Sequence, residues 1–488
     1  MRDARVLLDR NFTVGATDRR LFGAFVEHVG RCVYGGIYEP GHPAADRQGF
    51  RQDVMALVRE LAPTIMRYPG GNFVSGYDWE DGVGPVEDRP RRLDYAWLST
   101  EPNTFGTNEF IDWCRMAGIE PMLAVNLGTR GPKEAGRFIE YCNHPGGTEL
   151  SDLRRRHGWE QPHGVKFWCL GNEMDGPWQT WSRSAEEYGR AAAEAAKIMR
   201  WVDPTVELAA CGSSGRNMST FGAWEDTVLQ HTFDHVEWIS LHTYLNNYAG
   251  DTAAFLASPD LMDSFIEEVV AIADAVAARR RSSKRIKLNF DEWNVWYRTR
   301  RGTANRTRPG WPVAPPVLEE IYTVQDALAF GGMAISLLNH ADRVRSACLA
   351  QLVNAIAPIR TEPGGPAWRQ TTFHPIAETA RVAVGHSLIT AVRGPDMATD
   401  RYGDVPAVSA AATHDPDRGS VAVFLVNRDT RAADVTVRHS GFGGVRARDA
   451  RHVRADDAGP RGDAASAEAA RPVPLEVSGD GDGTSLRL

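Results

Sequence analysis

Between Leu21 and Gln351 the chain switches repeatedly from a short apolar run to a longer stretch with apolar residues at helical spacing. Nothing else in the sequence constrains the fold as tightly. The runs are Leu21 to Val26, Thr64 to Tyr68, Pro121 to Val125, Phe167 to Leu170, Val206 to Cys211, Val236 to Leu241, Ile286 to Phe290 and Val344 to Leu349. Helical patterns separate them, around 53–61, 108–117, 134–142, 185–201, 224–231, 261–280 and 324–338. A run such as Phe167-Trp168-Cys169-Leu170, apolar without alternation, is what a parallel strand covered on both faces requires. Eight of them alternating with helices predict an α/β fold, a closed (β/α)8 TIM barrel with its chemistry at the C-terminal ends of the strands. A doubly wound open sheet would want a Gly-rich phosphate turn after its first strand; the chain has none, which also disfavours a dehydrogenase.

The residues at the strand ends are Glu27, Asn72, Asn126, Glu173, Tyr244, Glu292 and Gln351. Glu173 follows its strand between Gly171 and Gly176, and Glu292 opens Glu292-Trp293-Asn294-Val295-Trp296-Tyr297. Glycoside hydrolysis needs two such acids, one to protonate the leaving oxygen and one to attack or stabilise the sugar carbon from the other side. The plain alternative is a pair of solvated loop acids, the ordinary state of glutamate. Arg67 could pair with any barrel carboxylate; beside Glu292 it would orient that acid and keep it ionised. Asn172 could merely shape its loop. Trp97, Trp178 and Trp296 are either core aromatics or sugar platforms. His28 and His242 invite a metal reading, but no H-E-x-x-H or clustered Cys/His spacing accompanies them, so no metal and no cofactor are expected.

The pattern changes near residue 370. Val421-Ala422-Val423-Phe424-Leu425-Val426 and Val435-Thr436-Val437, set between Asn, Asp and Gly turns, predict an antiparallel β-sandwich. The early run at Val6 to Val14 precedes the barrel and is expected to join it. The expected division is therefore 1–17 as an N-terminal strand of the sandwich, 18–370 as the catalytic barrel and 371–488 as the sandwich. Residues 455–474, rich in Ala, Asp, Gly, Arg and Pro, read as a mobile surface loop, and 297–316, long for a barrel loop, as a lid, an insertion or a subunit contact. The formal net charge of -8 comes with no banked basic segment, so nucleic acid is not an expected partner. Six scattered cysteines read as buried thiols. No signal-like h-region or run of about 18 apolar residues is present, so the expectation is a cytoplasmic protein that meets imported oligosaccharides and has no membrane partner.

Five segments carry a family resemblance: Phe25-Val26-Glu27-His28-Val29-Gly30-Arg31, Arg67-Tyr68-Pro69-Gly70-Gly71-Asn72-Phe73, Trp168 to Trp178, Asp291 to Tyr297 and Ala350-Gln351-Leu352-Val353-Asn354. In them the chain resembles the α-L-arabinofuranosidases of glycoside hydrolase family 51. The resemblance implies a retaining exo-hydrolase that releases terminal α-L-arabinofuranosyl groups from arabinan or arabinoxylan fragments. Glu173 would be its acid/base and Glu292 its nucleophile. Glu27, Arg67, Asn72, Asn172, Tyr244 and Gln351 would line the furanose pocket, with Trp296 beside them. It further implies a homo-oligomer, a hexamer. Where many relatives carry Gln and Tyr around the pocket aromatic, this chain has His242-Thr243-Tyr244-Leu245-Asn246. The rivals are an endo-β-glucanase or β-xylosidase on the same fold, and a carbohydrate-binding protein without catalysis.

Overall fold

The computed structural model describes residues 2–297, 310–454, 471–480 and 483–488. Eight parallel strands close a barrel in chain order: Gly23–Phe25, Ile65–Tyr68, Glu120–Ala124, Phe167–Leu170, Glu207–Ala210, Trp238–Leu245, Lys287–Val295 and Val344–Ala350. The eighth strand returns to the first, Cys348 lying opposite Gly23. Three differences from the sequence reading have local causes. Leu21 and Phe22 belong to a 3-10 turn, Arg19–Phe22, because the Asp18 carboxylate accepts the Arg20 N–H and starts a helical turn ahead of the strand. The sixth and seventh strands run on to Leu245 and Val295, since they keep pairing through Glu292 with His242 and Asn294 with Tyr244. Tyr244 and Glu292 therefore stand on strands. Helices Glu149–Arg156, Thr252–Ala257 and Phe373–Val382 were not foreseen.

The helix Ala185–Val202 shows how the sequence anchors a barrel segment near the site. Ser184 and Glu187 form a capping box at its start, and Tyr188, Ala192, Ala195, Ala196 and Met199 make a buried stripe at helical spacing. Tyr188 Oη donates to the Leu170 carbonyl at 2.7 Å and accepts the Cys211 N–H at 2.7 Å. One phenol thus ties the helix to the ends of the fourth and fifth strands, just below Glu173.

The N-terminal strand Arg2–Ala16 lies inside a seven-stranded sheet of the β-sandwich-like C-terminal region. It runs antiparallel to His386–Arg393 and parallel to Ala433–Ser440. Ala4, Val6 and Leu8 alternate into an apolar layer with Leu388, Val408, Ala410, Val435 and Val437. The barrel helix Val324–Asn339 touches this sheet, with Asn339 Nδ2 donating to the Ala410 carbonyl at 3.2 Å. All six cysteines are buried and unpaired. Among the described residues no helix is long and apolar enough to cross a membrane. Most of the 297–316 stretch and of the 455–474 loop lies outside the described residues. At the described end of the former, Trp311 and Pro312 accept from Thr100 through their carbonyls.

Candidate active site

Glu173 leaves the fourth strand through Gly171, whose φ of +95° suits glycine, and itself adopts a φ of +43°. A side chain in the left-handed region costs about 1–2 kcal/mol, and the surrounding loop must hold it there. Gly176 N–H donates to the Glu173 carbonyl at 2.8 Å and Arg183 N–H to the Met174 carbonyl at 2.8 Å. The Arg183 guanidinium, in turn, grips the Leu127 and Gly128 carbonyls. The carboxylate is held as firmly as its backbone: Trp178 Nε1 donates to Oε2 at 2.6 Å, and His242 Nδ1 lies 2.9 Å from Oε1.

Glu292 takes a charged and a neutral donor. Arg67 Nη1 reaches Oε1 at 2.6 Å and Tyr244 Oη reaches Oε2 at 2.6 Å. Arg67 is buried over the Phe25 ring, with its carbon 4.5 Å from the centroid, and its Nη2 donates to Asn172 Oδ1 at 2.6 Å. Arg67 also pairs with a second barrel carboxylate, its Nε lying 3.2 Å from Asp291 Oδ2. Burial would lift the Asp291 carboxyl, but Arg67 and His242 outweigh it and hold the group below the ordinary carboxylate range.

Glu27 anchors the opposite wall. It accepts from Phe73 N–H at 3.0 Å, Trp97 Nε1 at 2.9 Å and Gln351 Nε2 at 2.9 Å. Burial and the Glu292 charge push its carboxyl up to about 8; the bonds from Phe73 and Trp97 pull the other way without cancelling them. Gly71 permits this packing, since a Cβ there would lie 2.3 Å from Glu27 Oε2. Asn72, half-buried, begins the turn Asn72–Gly76 next to Phe73. Trp296 is half-buried and meets the Tyr244 ring edge-on, centroids 5.1 Å apart.

One oxygen of Glu173, one of Glu292 and a ring nitrogen of His242 lie within 4.8 Å of one another. Such a trio could in principle hold a cation. However, the second nitrogen of His242, Nε2, lies 3.2 Å from Asp291 Oδ1, so both nitrogens face carboxylates. Burial opposes charging the ring, yet Glu292, Asp291 and Glu173 together raise it to about 10. The ring thus faces a carboxylate on each side.

Two family models match the chain, the α-L-arabinofuranosidase 1 domain over residues 57–256 and the α-L-arabinofuranosidase C-terminal domain over 291–488. The solved structure of a family 51 α-L-arabinofuranosidase from Bifidobacterium longum is 45% identical and superposes with a TM-score of 0.95, covering 100% of this chain and 98% of that one. A relative from Streptomyces lividans, an intracellular exo-α-(1→5)-L-arabinofuranosidase, is 56% identical over 490 residues, covering 100% of this chain and 73% of the relative. The chain belongs to the α-L-arabinofuranosidases of glycoside hydrolase family 51. Another relative, an exo-α-(1→6)-L-arabinofuranosidase from Bifidobacterium longum, is 54% identical, with 89% of this chain and 84% of the relative covered.

Within this family 51 site, Arg67, Asn172, Tyr244 and Glu292 are joined by hydrogen bonds and reach Glu173 through His242; Glu27 and Gln351 form a separate bonded pair, and Trp296 packs on Tyr244. Asn126 stands apart: its side chain closes a turn, donating to the Tyr77 carbonyl and accepting the Gly128 N–H. His28 bonds Glu101 at 2.9 Å and Tyr68 at 2.7 Å and stacks on Phe73, a buried support of the pocket wall. Trp97 and Trp178, weighed as core or platform, donate through their indole N–H groups to Glu27 and Glu173. Sequence reasoning named Asp291 only as the start of a motif, without a role, and missed His242 as a bridge. On a regular strand Asp291 and Glu292 would face opposite ways; a register shift between Asn289 and Glu292 brings both to Arg67 and His242.

Proposed function

We propose that this pocket removes α-L-arabinofuranosyl groups one at a time from the non-reducing ends of arabinan or arabinoxylan oligosaccharides, with net retention. The observation that carries the reading is the short gap between the acids, oxygens of Glu173 and Glu292 lying within 4.8 Å. Retaining enzymes space the two carboxyl groups about 5–5.5 Å apart, whereas inverting ones leave about 6.5–9.5 Å for a water. In the first step Glu292, gripped by Arg67 and Tyr244, attacks the anomeric carbon as Glu173 gives its proton to the departing oxygen. Asn172, fixed by Arg67, is placed to meet the hydroxyl next to that carbon. In the second step Glu173 takes a proton from water, which displaces Glu292 and regenerates both acids. Glu27, Asn72, Trp97 and Gln351 would enclose one furanose and so favour chain ends.

Hydrolysis of 4-nitrophenyl α-L-arabinofuranoside beside the β-D-xylopyranoside and β-D-glucopyranoside tests the substrate class. Preference for either pyranoside, or release of oligomers without free arabinose from arabinan fragments, would overturn it. The named relatives differ in linkage, and a (1→5)- against a (1→6)-linked arabinobiose decides between them for this chain. We further propose a cytoplasmic homo-oligomer, a hexamer, in line with the family resemblance and the intracellular relatives. Light scattering that returned the 53.8 kDa monomer would remove the assembly.

A further inference from the structure

The double displacement described above leaves His242 and Asp291 without a task, although they sit at the centre of the charged cluster. His242 is 2% exposed and lies on the sixth strand, opposite Glu292 in register. Its Nδ1 lies 2.9 Å from Glu173 and 3.6 Å from Glu292, and its Nε2 3.2 Å from Asp291. The Arg67 guanidinium faces Asp291 and Glu292, the Tyr244 phenol faces Glu292, and the Cys169 thiol donates to Asp291 at 3.5 Å. Beyond them, Asp175 stands near Glu173, Glu27 near Glu292 and the buried thiol of Cys348 near Asp291. At the centre, three acids, Glu173, Asp291 and Glu292, share two cations, Arg67 and His242. The group becomes neutral on gaining one proton.

We propose that His242, held between Asp291 and Glu173, is a positioning residue that sets how readily Glu173 releases and regains the proton it passes to the leaving group. This rests on the reading of Glu173 as acid/base. A retaining acid must do two opposite things: give a proton in the first step and take one in the second. A buried carboxyl next to an ionised nucleophile would bind its proton too tightly to give it. An imidazolium 2.9 Å away offsets that, bringing release and recapture closer to balance at one pH. Trp178 holds the other oxygen, so the imidazolium acts at a fixed distance. Once Glu292 is glycosylated its charge is gone, while Asp291 still faces the His242 ring at 3.2 Å; an imidazolium there favours the ionised, proton-accepting form of Glu173 when water must be activated.

The test compares wild type with His242→Gln and His242→Asn, which keep a neutral N–H donor at two side-chain lengths, so that misfolding of one leaves the other to report. kcat/KM is measured against pH on a substrate with a poor leaving group, methyl α-L-arabinofuranoside, and on the 2,4-dinitrophenyl arabinofuranoside, which departs without a proton. On the methyl glycoside the variants lose about tenfold or more, and the basic limb of the profile moves to higher pH by about one unit. The acid limb moves less, because Arg67 and Tyr244 still hold Glu292. On the dinitrophenyl substrate the first step is nearly untouched. Equal losses on both substrates with unmoved limbs would mean a merely structural residue and overturn the proposal. A Glu173→Ala variant whose rate still depended on the leaving group as wild type does would instead overturn the acid/base reading beneath it.

Discussion

The two ends of the barrel handle charge in opposite ways. At the N-terminal end Arg20 donates to Glu120 and Glu207, each at 2.8 Å, and lies over the Phe167 ring. Lys287 approaches Glu207 at 4.0 Å, so two cations meet two acids. These side chains keep 21–30% of their surface for Arg20, Glu120 and Glu207, and water shares the work of solvating them. At the C-terminal end Glu173, Asp291 and Glu292 share Arg67 and His242, with exposures of 1–9%. The dry cluster has one acid in excess of its cations; the half-wet one is balanced and ties strands together. Burial and imbalance separate chemistry from structure here, since both ends are rich in ion pairs.

The sharpest way to break this contrast is to remove the attacking acid. Glu292→Ala is expected to lose on the order of 10⁴-fold or more in kcat on aryl arabinofuranosides. With azide it should yield only the β-configured arabinofuranosyl azide, from a single inverting displacement. Glu173→Ala is expected to lose about 10²–10⁴-fold on substrates that need a proton. It should still form the glycosyl-enzyme from activated ones, and azide should then speed turnover to an α-configured product. Exchange of the two azide configurations between these variants would reverse the roles.

A stability measurement sharpens the same comparison. With its folded-state carboxyl at about 8 against an ordinary 4.5, Glu27 binds its proton more tightly in the folded protein than in the unfolded chain. Its contribution is therefore fully present below pH 4.5 and is lost as pH rises through 8. The loss is on the order of 5 kcal/mol. Glu27→Gln should flatten the corresponding slope in denaturation midpoints across that window; an unchanged slope would show that Glu27 folds already ionised. The smallest effect belongs to the barrel floor. Arg20→Met should cost about 1–2 kcal/mol in chemical denaturation, discounted for solvent, and leave kcat/KM within about twofold. A large catalytic loss there would erase the distinction between the two ends.

Legibility from sequence followed the range of the interactions involved. The eight barrel strands were readable because burial on both faces leaves continuous apolar runs such as Phe167 to Leu170, and the capped helix Ala185–Val202 because its signals are local. Arg67, Asn172, Glu173 and Glu292 were readable at strand ends, where polar residues interrupt those runs. The Arg19–Phe22 turn was misread, since Leu21 and Phe22 are buried in a turn as they would be in a strand. The N-terminal strand's place between His386–Arg393 and Ala433–Ser440 needed pairing across more than 350 positions, which no local pattern encodes in detail.

By itself, then, the sequence determined the barrel, the β-rich C-terminal region and the two glutamates, because periodicity and residue type act over a few neighbours. Tertiary structure alone decided that Asp291 turns to the same side as Glu292, that His242 stands between three acids, and that the Trp97 and Trp178 indoles donate to Glu27 and Glu173. Those outcomes depend on a register shift and on side chains meeting from different strands. Distances of 3 Å between residues far apart in the chain are set by the closure of the barrel.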